Sequence, residues 1–285
     1  MDDQDVAIVG GGTMGTGIAY VFALAGFATT VVEPDGDRAL QMMAEIEGAA
    51  AGAVGRGKLD AAGAEALRGR VCRVPSIAEL GDGLVLAVET VPERAELKAA
   101  VLSELEAHDA RVLASNTSSI SIAQLATGLS RPERFLGMHF FNPVWSLALV
   151  ELIRGAATSA ETIEAATSLV GRIGKQHILV ADVPGFATSR LDLIAALEAM
   201  RMLEDGVASA ADIDRAAELA YRHPVGPLRL SDIVGLDVRL DIARQLEQTY
   251  GERYRAPQIL VDLVAEGRLG RKTGGGFHDW PVAGH

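Results

Sequence analysis

The chain has 285 residues, a length that suits two domains better than one. It carries 26 Lys and Arg against 38 Asp and Glu, and the formal net charge is −12. This acidic balance argues against nonspecific binding to nucleic acid or to an anionic membrane, because both need a basic surface. The single Cys72 excludes an internal disulfide and gives no cysteine cluster for a metal, so no metal site is expected.

The ends and the apolar windows of the sequence predict a cytoplasmic protein. The start, "MDDQD", is acidic and lacks the basic residues that open a secretory signal. The most apolar window, 18–32, is shorter than the roughly 20 residues of a membrane span and contains Gly26. We therefore expect no contact with a membrane.

Short apolar runs alternate with helical patterns through the first 180 or so residues, which is typical of a parallel sheet built from βαβ units. The sixth and seventh runs are separated by a short segment containing Asn142-Pro143, so they are predicted to form a hairpin. The predicted strands lie at 6–10, 29–33, 70–74, 84–89, 111–116, 134–140, 148–153 and 177–182.

After residue 186 the pattern becomes helical. One helix is predicted over 188–205, a second begins at Ser209 with a capping box to Asp212, and another runs over about 231–250. The predicted fold class is α/β: an N-terminal Rossmann-like doubly wound sheet (1–183) followed by an all-α C-terminal domain (184–285). The apolar surface of these helices exceeds what a hundred residues bury alone, so we expect a homodimer.

A glycine cluster follows the first predicted strand and opens a helix. This cluster fits the pattern G-x-G-x-x-G through Gly10, Gly12 and Gly15, with Thr13 and Met14 between the last two glycines. In this position the first glycine makes a tight turn, the second lets a pyrophosphate approach, and the third lets helix and strand pack. Backbone N–H groups and the helix dipole would then face the phosphates. The pattern predicts a dinucleotide site, and the alternative is an ordinary glycine turn.

Glu33 ends the second predicted strand, 18 residues after Gly15. A carboxylate there is expected to bind the adenosine ribose hydroxyls and to repel a 2′-phosphate, which favours NAD over NADP. The alternative is a solvated glutamate at a strand end. NAD is the predicted cofactor.

Among six histidines, His139 stands out because it ends an apolar strand beside a turn, in "GMHFFNPV". Glu151 is the lone acid in "LALVELI", twelve residues later. If the chain reverses near Trp145, the two strands run antiparallel and His139 faces Glu151. A carboxylate in so apolar a run needs a partner, and bonding one imidazole nitrogen would raise the basicity of the other. The alternative is a solvated Glu on an edge strand and a core His bonded to backbone.

The segment "SNTSS" at 115–119 follows the fifth predicted strand directly. Open α/β sheets bind ligands at the carboxyl ends of their strands, so Asn116 and the hydroxyls of this loop are candidates for binding a substrate oxygen. Ser and Thr residues here are equally suited to capping the next helix.

These motifs resemble those of the 3-hydroxyacyl-CoA dehydrogenases, in particular the short bacterial 3-hydroxybutyryl-CoA type. The matching stretches occur in the family's order and span nearly the whole chain. They are "VGGGTMGTGIA", "RGKL", "ETVPE", "ASNTSSISI", "RPERFLGMHFFNPV", "LVELIRG", "DVPGF", "LEDGVASAADID", "HPVGPLRLSDIVGLD" and "GRLGRKTGGGF".

The resemblance implies a role for each matching residue. His139 would be the catalytic base, Glu151 its partner and Ser118 the group that bonds the substrate's 3-oxygen, with Asn142 lining the site. Glu89, Glu93 and Asn116 would lie on the cofactor side, in an NAD-binding domain. The second domain would be helical, would dimerise and would close over the cofactor domain.

The resemblance also implies that a pair of basic residues binds the CoA part of the substrate. The resemblance implies that Lys58, and with it Arg56, binds the CoA phosphates. The alternative is a solvated helix end, where basic side chains usually lie.

Four positions depart from the family's usual pattern. Ser189 replaces an Asn that helps to orient the substrate, and serine offers one short hydroxyl in place of an amide. Ala148 replaces a Lys three residues before Glu151, and Trp145 brings a bulky ring to the turn. Glu33 stands where the family more often has Asp, which keeps the charge.

The predicted function is reversible hydride transfer between NAD and a 3-hydroxyacyl thioester, by default 3-hydroxybutyryl-CoA and acetoacetyl-CoA. One alternative keeps the chemistry but places the acyl group on an acyl carrier protein of secondary metabolism. Another is a non-catalytic NAD-binding protein descended from an enzyme.

Overall fold

The computed structural model describes residues 5–281. The acidic start at 1–4, on which the expectation of no secretory signal depends, and the last four residues lie outside the described residues. The described chain divides into two compact units, one ending at Val183 and the other beginning at Pro184. Each unit has its own cluster of buried apolar residues.

The first unit is built on one eight-stranded sheet in the spatial order β3-β2-β1-β4-β5-β6-β7-β8. All neighbours are parallel except β6 and β7, which are antiparallel, as the predicted hairpin requires. All eight predicted strands are confirmed. They are β1 (Asp5–Val9), β2 (Ala28–Val32), β3 (Val71–Val74), β4 (Leu86–Glu89), β5 (Leu113–Ser115), β6 (Phe135–Phe140), β7 (Leu149–Arg154) and β8 (Gln176–Ala181).

Six helices connect these strands and supply the apolar side chains that cover the sheet. The core is formed mainly by aliphatic residues of β1, β4, β6 and α1, and Phe22 and Phe27 meet edge to face with centroids 5.3 Å apart. The helices are α1 (Thr13–Leu24), α2 (Gly36–Gly55), α3 (Ala61–Gly69), α4 (Ala95–Glu106), α5 (Ile122–Ala126) and α6 (Ala160–Arg172).

The strand order reverses at β1, which lies between β2 and β4. At such a point the connections leave the sheet in opposite directions and open a crevice at the carboxyl ends of the strands. The glycine cluster follows β1, Glu33 follows β2, and Glu89 ends β4. The fold therefore brings the predicted cofactor residues to one edge of the sheet.

The second unit is helical within the described residues. Its core is aliphatic, with Leu193, Leu197 and Leu240 among its buried members. The capping box of α8 is confirmed, since Ser209 Oγ accepts from the Asp212 N–H at 3.2 Å. The helices are α7 (Thr188–Glu204), α8 (Ala210–Tyr221), α9 (Pro227–Val234), α10 (Leu236–Tyr250) and α11 (Gln258–Ala265).

The single helix predicted over 231–250 is wrong, because two helices, α9 and α10, meet at Gly235. Gly235 has φ of +108°, a conformation that side chains with a Cβ rarely adopt and that ends the helical hydrogen bonding. The apolar periodicity continues across this break, which is why the pattern alone predicted one helix. Across residues 5–281, no helix has both the length and the apolar composition needed to cross a membrane.

Candidate active site

A cavity of about 670 Å³ opens at the carboxyl ends of β1, β2 and β4, a size typical of small-molecule sites. Gly10, Gly12 and Thr13 line one side, Glu33 lies at the end of β2, and Ile77 with Leu97 provides apolar walls. The cavity therefore lies against the loop that the glycine pattern predicted to hold phosphates.

The glycine loop has a shape that only glycine allows. Gly10 has φ of +105°, and a Cβ on Gly15 would lie 1.8 Å from the Gly10 carbonyl oxygen. Gly12 precedes α1, and no side chain caps this helix end. Within residues 5–281 the first-turn N–H groups of α1 therefore have no side-chain acceptor, the condition under which a helix N-terminus binds an anion. These features fit a dinucleotide pyrophosphate.

Glu33 is buried beside this loop, 8 % exposed. Its Oε2 accepts from the Gly11 N–H at 2.8 Å, and its Oε1 accepts from the Asp35 N–H at 3.0 Å. The carboxylate is thus fixed between the glycine loop and the turn that begins α2. It lines the cavity at the place expected for the adenosine ribose.

His139 and Glu151 lie directly opposite each other on β6 and β7. The His139 Nδ1 is 2.8 Å from Glu151 Oε2, and the two residues are 7 % and 0 % exposed. Because an ionised carboxylate can only accept, Nδ1 carries the proton of this bond and Nε2 is the basic nitrogen. The structure therefore brings the two residues together as the hairpin predicted, and the buried Glu151 has its partner.

A second cavity, about 380 Å³ in volume, contains the His139 side of this pair. Ser118 and Asn142 line it with His139, and Asn142 precedes Pro143 through a cis peptide bond. Met14, Thr90 and Val91 line both this cavity and the one at the glycine loop. A ligand extending from the glycine loop past Met14 would therefore bring its far end to His139.

Glu93 holds the "SNTSS" loop in place. Its Oε1 accepts from the Thr117 hydroxyl at 2.5 Å, the Ser118 N–H at 3.0 Å and the Ser119 N–H at 3.0 Å. Burial would raise the pKa of Glu93, but the bonds from Thr117 and Ser119 and the charge of Lys98 hold it below its ordinary value. The Thr117 and Ser119 hydroxyls thus bond Glu93, Thr117 also accepts from the Ile120 N–H, and the cap of α5 comes instead from Ser121.

Glu89 lies deeper and lines neither cavity. Its carboxylate pairs with Lys98 Nζ at 3.0 Å through both oxygens and also accepts from the Ser115 hydroxyl. Burial raises the pKa of Glu89, and Lys98, Ser115 and the Val91 N–H oppose that rise. Its role in holding a cofactor stays a prediction, in which it would act through these neighbours.

Lys98 is a site residue that the sequence did not reveal. It is 1 % exposed, lines the cavity of His139 and lies 3.3 Å from Glu93 Oε2. In the sequence, Lys98 is marked only by its position nine residues after Glu89. The helix face on which it lies is otherwise predicted to be exposed to solvent. Burying an unpaired lysine charge is costly, and here the carboxylates of Glu89 and Glu93 offset that cost.

Asn116 connects the end of β5 to β6. Its Oδ1 accepts from the Phe140 N–H at 2.9 Å, next to His139 in the chain, and its side chain lines the same cavity. Asn116 therefore helps to fix the backbone that carries His139. Phe141 also packs on the histidine ring, with centroids 4.4 Å apart.

Arg56 and Lys58 line a third cavity, of about 640 Å³, between α1 and α2. Tyr20 and Trp145 form its aromatic side, edge to face with centroids 6.0 Å apart. Burial raises the pKa of the Tyr20 hydroxyl, and the nearby Arg56 charge opposes the rise. Both basic side chains are exposed, so they face solvent as well as this cavity.

The departures from the family pattern lie outside the paired strands that hold the dyad. Trp145 and Ala148 belong to the connection between β6 and β7, where Lys175 Nζ donates to the Val144 and Leu147 carbonyls at 2.5 and 2.6 Å. Ser189 lies in the first turn of α7, in the second unit.

A nucleotide-type cavity at a glycine loop, adjoining a buried His–Glu pair, defines a nicotinamide-dependent dehydrogenase of the Rossmann type. The family model for the NAD-binding domain of 3-hydroxyacyl-CoA dehydrogenase matches residues 5–183, and the model for the C-terminal domain matches residues 185–280. The chain belongs to the 3-hydroxyacyl-CoA dehydrogenase family and is an NAD-dependent oxidoreductase.

Relatives of similar length support this assignment. The chain is 40 % identical over 280 residues to a 3-hydroxybutyryl-CoA dehydrogenase of Bradyrhizobium diazoefficiens, covering 97 % of this chain and 95 % of that one. It is 38 % identical over 285 residues to one of Mycobacterium tuberculosis, covering 97 % and 98 %. The crystal structure of (S)-3-hydroxybutyryl-CoA dehydrogenase from Ralstonia eutropha is similar with a TM-score of 0.93 and 36 % identity, covering 98 % and 99 %.

Proposed function

We propose that the protein interconverts 3-hydroxybutyryl-CoA and acetoacetyl-CoA with NAD, using His139 and Glu151 as its acid–base pair. The observation that carries this is the 2.8 Å contact between His139 Nδ1 and Glu151 Oε2, in a cavity that adjoins the glycine loop. The two relatives described above are 3-hydroxybutyryl-CoA dehydrogenases, and this supports the choice of the acyl group.

In the oxidation direction His139 takes the proton of the substrate hydroxyl at Nε2. Glu151 stabilises the imidazolium that forms and keeps the ring in one tautomer and orientation. The Ser118 hydroxyl bonds the reacting oxygen, and Asn142 lines the space around it. NAD, when bound, supplies the hydride acceptor. In reduction the same proton returns from His139 to the oxygen.

The chain's own residues would hold the cofactor along the two adjoining cavities. Gly10, Gly12, Thr13, Met14 and Gly15 form the phosphate loop, as their close backbone approach and uncapped helix end support. Glu33 would accept from the ribose hydroxyls. Near the nicotinamide end, Glu93 and Asn116 keep the Ser118 and His139 backbones in place, and Glu89 anchors Lys98 beneath them.

The cavity beside α2 suits the CoA phosphates. Arg56 and Lys58 bring two positive charges to a space of about 640 Å³, with Trp145 on its other side. Among the residues that the structure describes, neither the Arg56 guanidinium nor the Lys58 ammonium group forms a hydrogen bond or a salt bridge. Cations without a protein partner are suited to phosphate oxygens.

Three thioesters distinguish this proposal from the carrier-linked alternative. Initial rates of NADH oxidation are measured with acetoacetyl-CoA, with acetoacetyl-acyl carrier protein and with acetoacetyl-N-acetylcysteamine, which lacks a nucleotide. We expect kcat/KM to be highest for the CoA thioester. A higher value for the carrier-linked group would contradict the CoA handle, and equal values for CoA and N-acetylcysteamine would remove the role of Arg56 and Lys58.

We also propose a cytoplasmic homodimer, formed through the second unit. Apolar side chains remain exposed on its helices, with Leu191 70 %, Leu219 75 % and Tyr221 76 % exposed. Burial of these side chains against a second copy would remove their apolar surface from water. Light scattering after size exclusion should give twice the chain mass, and a single chain mass at micromolar concentration would contradict the dimer.

A further inference from the structure

Trp145 is an exposed tryptophan in the wall of the cavity beside α2. It lies on the connection between β6 and β7 and is 42 % exposed. Tyr20 meets it edge to face, with ring centroids 6.0 Å apart and ring planes at 71°. Such a contact uses at most one face of the indole, so Tyr20 leaves at least one face of Trp145 for a ligand. An aromatic face of this kind is suited to stacking on the planar base of a nucleotide.

The turn that carries Trp145 is fixed by hydrogen bonds on both sides of the ring. Lys175 Nζ donates to the Val144 carbonyl at 2.5 Å and to the Leu147 carbonyl at 2.6 Å. The two N–H groups that follow Trp145 in the chain donate to the Pro143 carbonyl at 3.0 and 3.1 Å. The indole is thus attached to an ordered backbone, so a ligand that stacks on it would not have to order the turn first.

Small residues form the α2 side of the same cavity. Gly48 and Gly52 line it one helical turn apart. A Cβ added at Gly48 would meet no atom within 4 Å, so this part of the wall borders open space. A Cβ added at Gly52 would lie 3.1 Å from Arg56 Nη1, so the guanidinium lies along this face of α2. The wall therefore leaves room for a flat ring near a positive charge.

The charges that line the cavity favour an anionic ligand. Arg56 and Lys58 are its two cations, and Glu45 is the only acid among the described residues that line it. Glu45 is exposed, and its Oε1 accepts from the Gln41 side-chain amide at 2.9 Å. Two cations suited to phosphate oxygens, together with an aromatic face suited to a base, are the groups that a nucleotide requires.

We propose that the indole of Trp145 stacks on the adenine ring of the substrate's CoA, which makes Trp145 a specificity-determining residue for the thioester. This inference rests on the proposed function and adds to it a contact with the adenosine part, beyond the phosphates that Arg56 and Lys58 would bind. The phosphopantetheine arm of an acyl carrier protein has no adenine, so the contact would favour CoA over a carrier-linked acyl group.

The position of Trp145 in the chain fits this role. Asn142 lines the His139 cavity, and Trp145 follows three residues later in the wall of the cavity beside α2. Three residues span at most about 11 Å of backbone. The pantetheine arm of CoA is flexible and longer than that, so one CoA thioester would reach both cavities.

Two thioesters test the proposal at saturating NADH. Acetoacetyl-CoA and acetoacetyl-4′-phosphopantetheine share the acyl group, the arm and one phosphate, but only the first carries adenosine. We expect Trp145→Ala to raise KM for acetoacetyl-CoA about fivefold or more with kcat nearly unchanged, as for the loss of a base–aromatic stack. KM for the phosphopantetheine thioester should change less than about twofold. Trp145→Phe should retain most of the affinity for acetoacetyl-CoA, because it keeps an aromatic ring.

Leu147→Ala is the matched control for disturbance of the turn. Leu147 is 43 % exposed on the same connection and is not among the described residues that line the cavity. This variant should change KM for neither thioester. The proposal is overturned if Trp145→Ala changes KM for both thioesters equally or for neither, since the adenine would then make no contact with Trp145.

Tryptophan fluorescence gives a second readout that does not require turnover. With the cofactor site filled by NAD⁺, free CoA should quench part of the wild-type emission, whereas 4′-phosphopantetheine should not. Trp145→Phe should lose the quenching by CoA and keep the emission of Trp280. Equal effects of CoA and 4′-phosphopantetheine on the wild-type protein would overturn the stacking contact. If the wild-type protein does not turn over acetoacetyl-CoA, the proposed function fails, and this binding measurement still decides whether Trp145 stacks on adenine.

Discussion

The His139–Glu151 pair and the cavity beside α2 differ in how their side chains are held. The pair lies on neighbouring antiparallel strands, is almost fully buried, and is fixed by the register of β6 and β7. Arg56 and Lys58 are exposed, and Trp145 lies on a connection, 42 % exposed. The proposed acid–base pair is thus held by the sheet, whereas the residues proposed to bind the CoA phosphates are surface side chains.

The departures from the family pattern follow the same division. Trp145, Ala148 and Ser189 all lie off the paired strand segments, while His139 and Glu151 are kept. Replacing a residue in the pair would leave a buried charge or an unsatisfied imidazole, which is costly. A substitution in the connection or in α7 leaves no such buried charge, so we expect these positions to affect specificity rather than the reaction.

The largest expected effect is on turnover, from His139→Ala. It removes the only proposed proton acceptor and should lower kcat by roughly 10²–10⁴. NADH binding, followed by fluorescence, should change less than about threefold, because His139 holds no phosphate or ribose. His177→Ala, at an exposed position of β8, is the control and should retain full activity. Near-normal turnover of His139→Ala would reject the assignment.

Glu151→Gln should cost about a hundredfold in kcat. The amide keeps the shape of the carboxylate but brings an N–H group that competes for Nδ1 and removes the charge that stabilises the imidazolium. Circular dichroism and thermal unfolding of the same preparation serve as the control for folding. A folded variant with unchanged kcat would show that the buried carboxylate is structural only.

The double variant Arg56→Ala/Lys58→Ala tests the exposed basic side chains of the cavity beside α2. We expect KM for acetoacetyl-CoA to rise about tenfold or more with kcat nearly unchanged, because the handle contributes binding in ground and transition states alike. With acetoacetyl-N-acetylcysteamine the variant and the wild-type protein should match. An equal loss on both thioesters would place these side chains in catalysis or folding instead.

Ser189→Asn is expected to have a smaller effect. If serine only weakens the orientation of the usual substrate, asparagine should raise kcat/KM for acetoacetyl-CoA a few-fold, since it restores a donor and an acceptor. Ser189→Ala is the matched control and should not raise it. A decrease with asparagine would indicate that Ser189 suits a different acyl group.

The smallest expected effect is a pH-dependent loss of stability in Glu93→Gln. Because the folded-state pKa of Glu93 is lowered, its ionised form stabilises the fold above the ordinary carboxyl pKa, and this contribution disappears as the pH falls through the folded value. Urea midpoints should therefore differ between wild type and variant at pH 7 and converge below about pH 4. A difference independent of pH would contradict the account of the loop.

The strands and the dyad could be predicted because short-range patterns determine them. Apolar runs located all eight strands, and a lone acid in an apolar run implied a partner for Glu151. The break at Gly235 could not be predicted, since apolar periodicity continues through it. Lys98 was missed for another reason: a lysine on a helix is expected to be solvated until the tertiary structure shows which residues it contacts.

Glu89 and Glu93 illustrate the same limit at the site. The resemblance grouped both with the cofactor, a role that stays a prediction, and the structure encloses Glu89 with Lys98 while Glu93 bonds the Ser118 loop. Which of two nearby acids faces a cavity depends on strand ends and on helix α4, and these are set by long-range packing. Spacing alone carries no information about it.

The most direct measurement of the central claim is NADH oxidation by the purified wild-type protein with acetoacetyl-CoA. We expect turnover in the range of roughly 1–10³ s⁻¹, with 3-hydroxybutyryl-CoA as product. If NADH binds but is not oxidised with this substrate, the assignment of the His139–Glu151 pair to 3-hydroxybutyryl-CoA chemistry is contradicted.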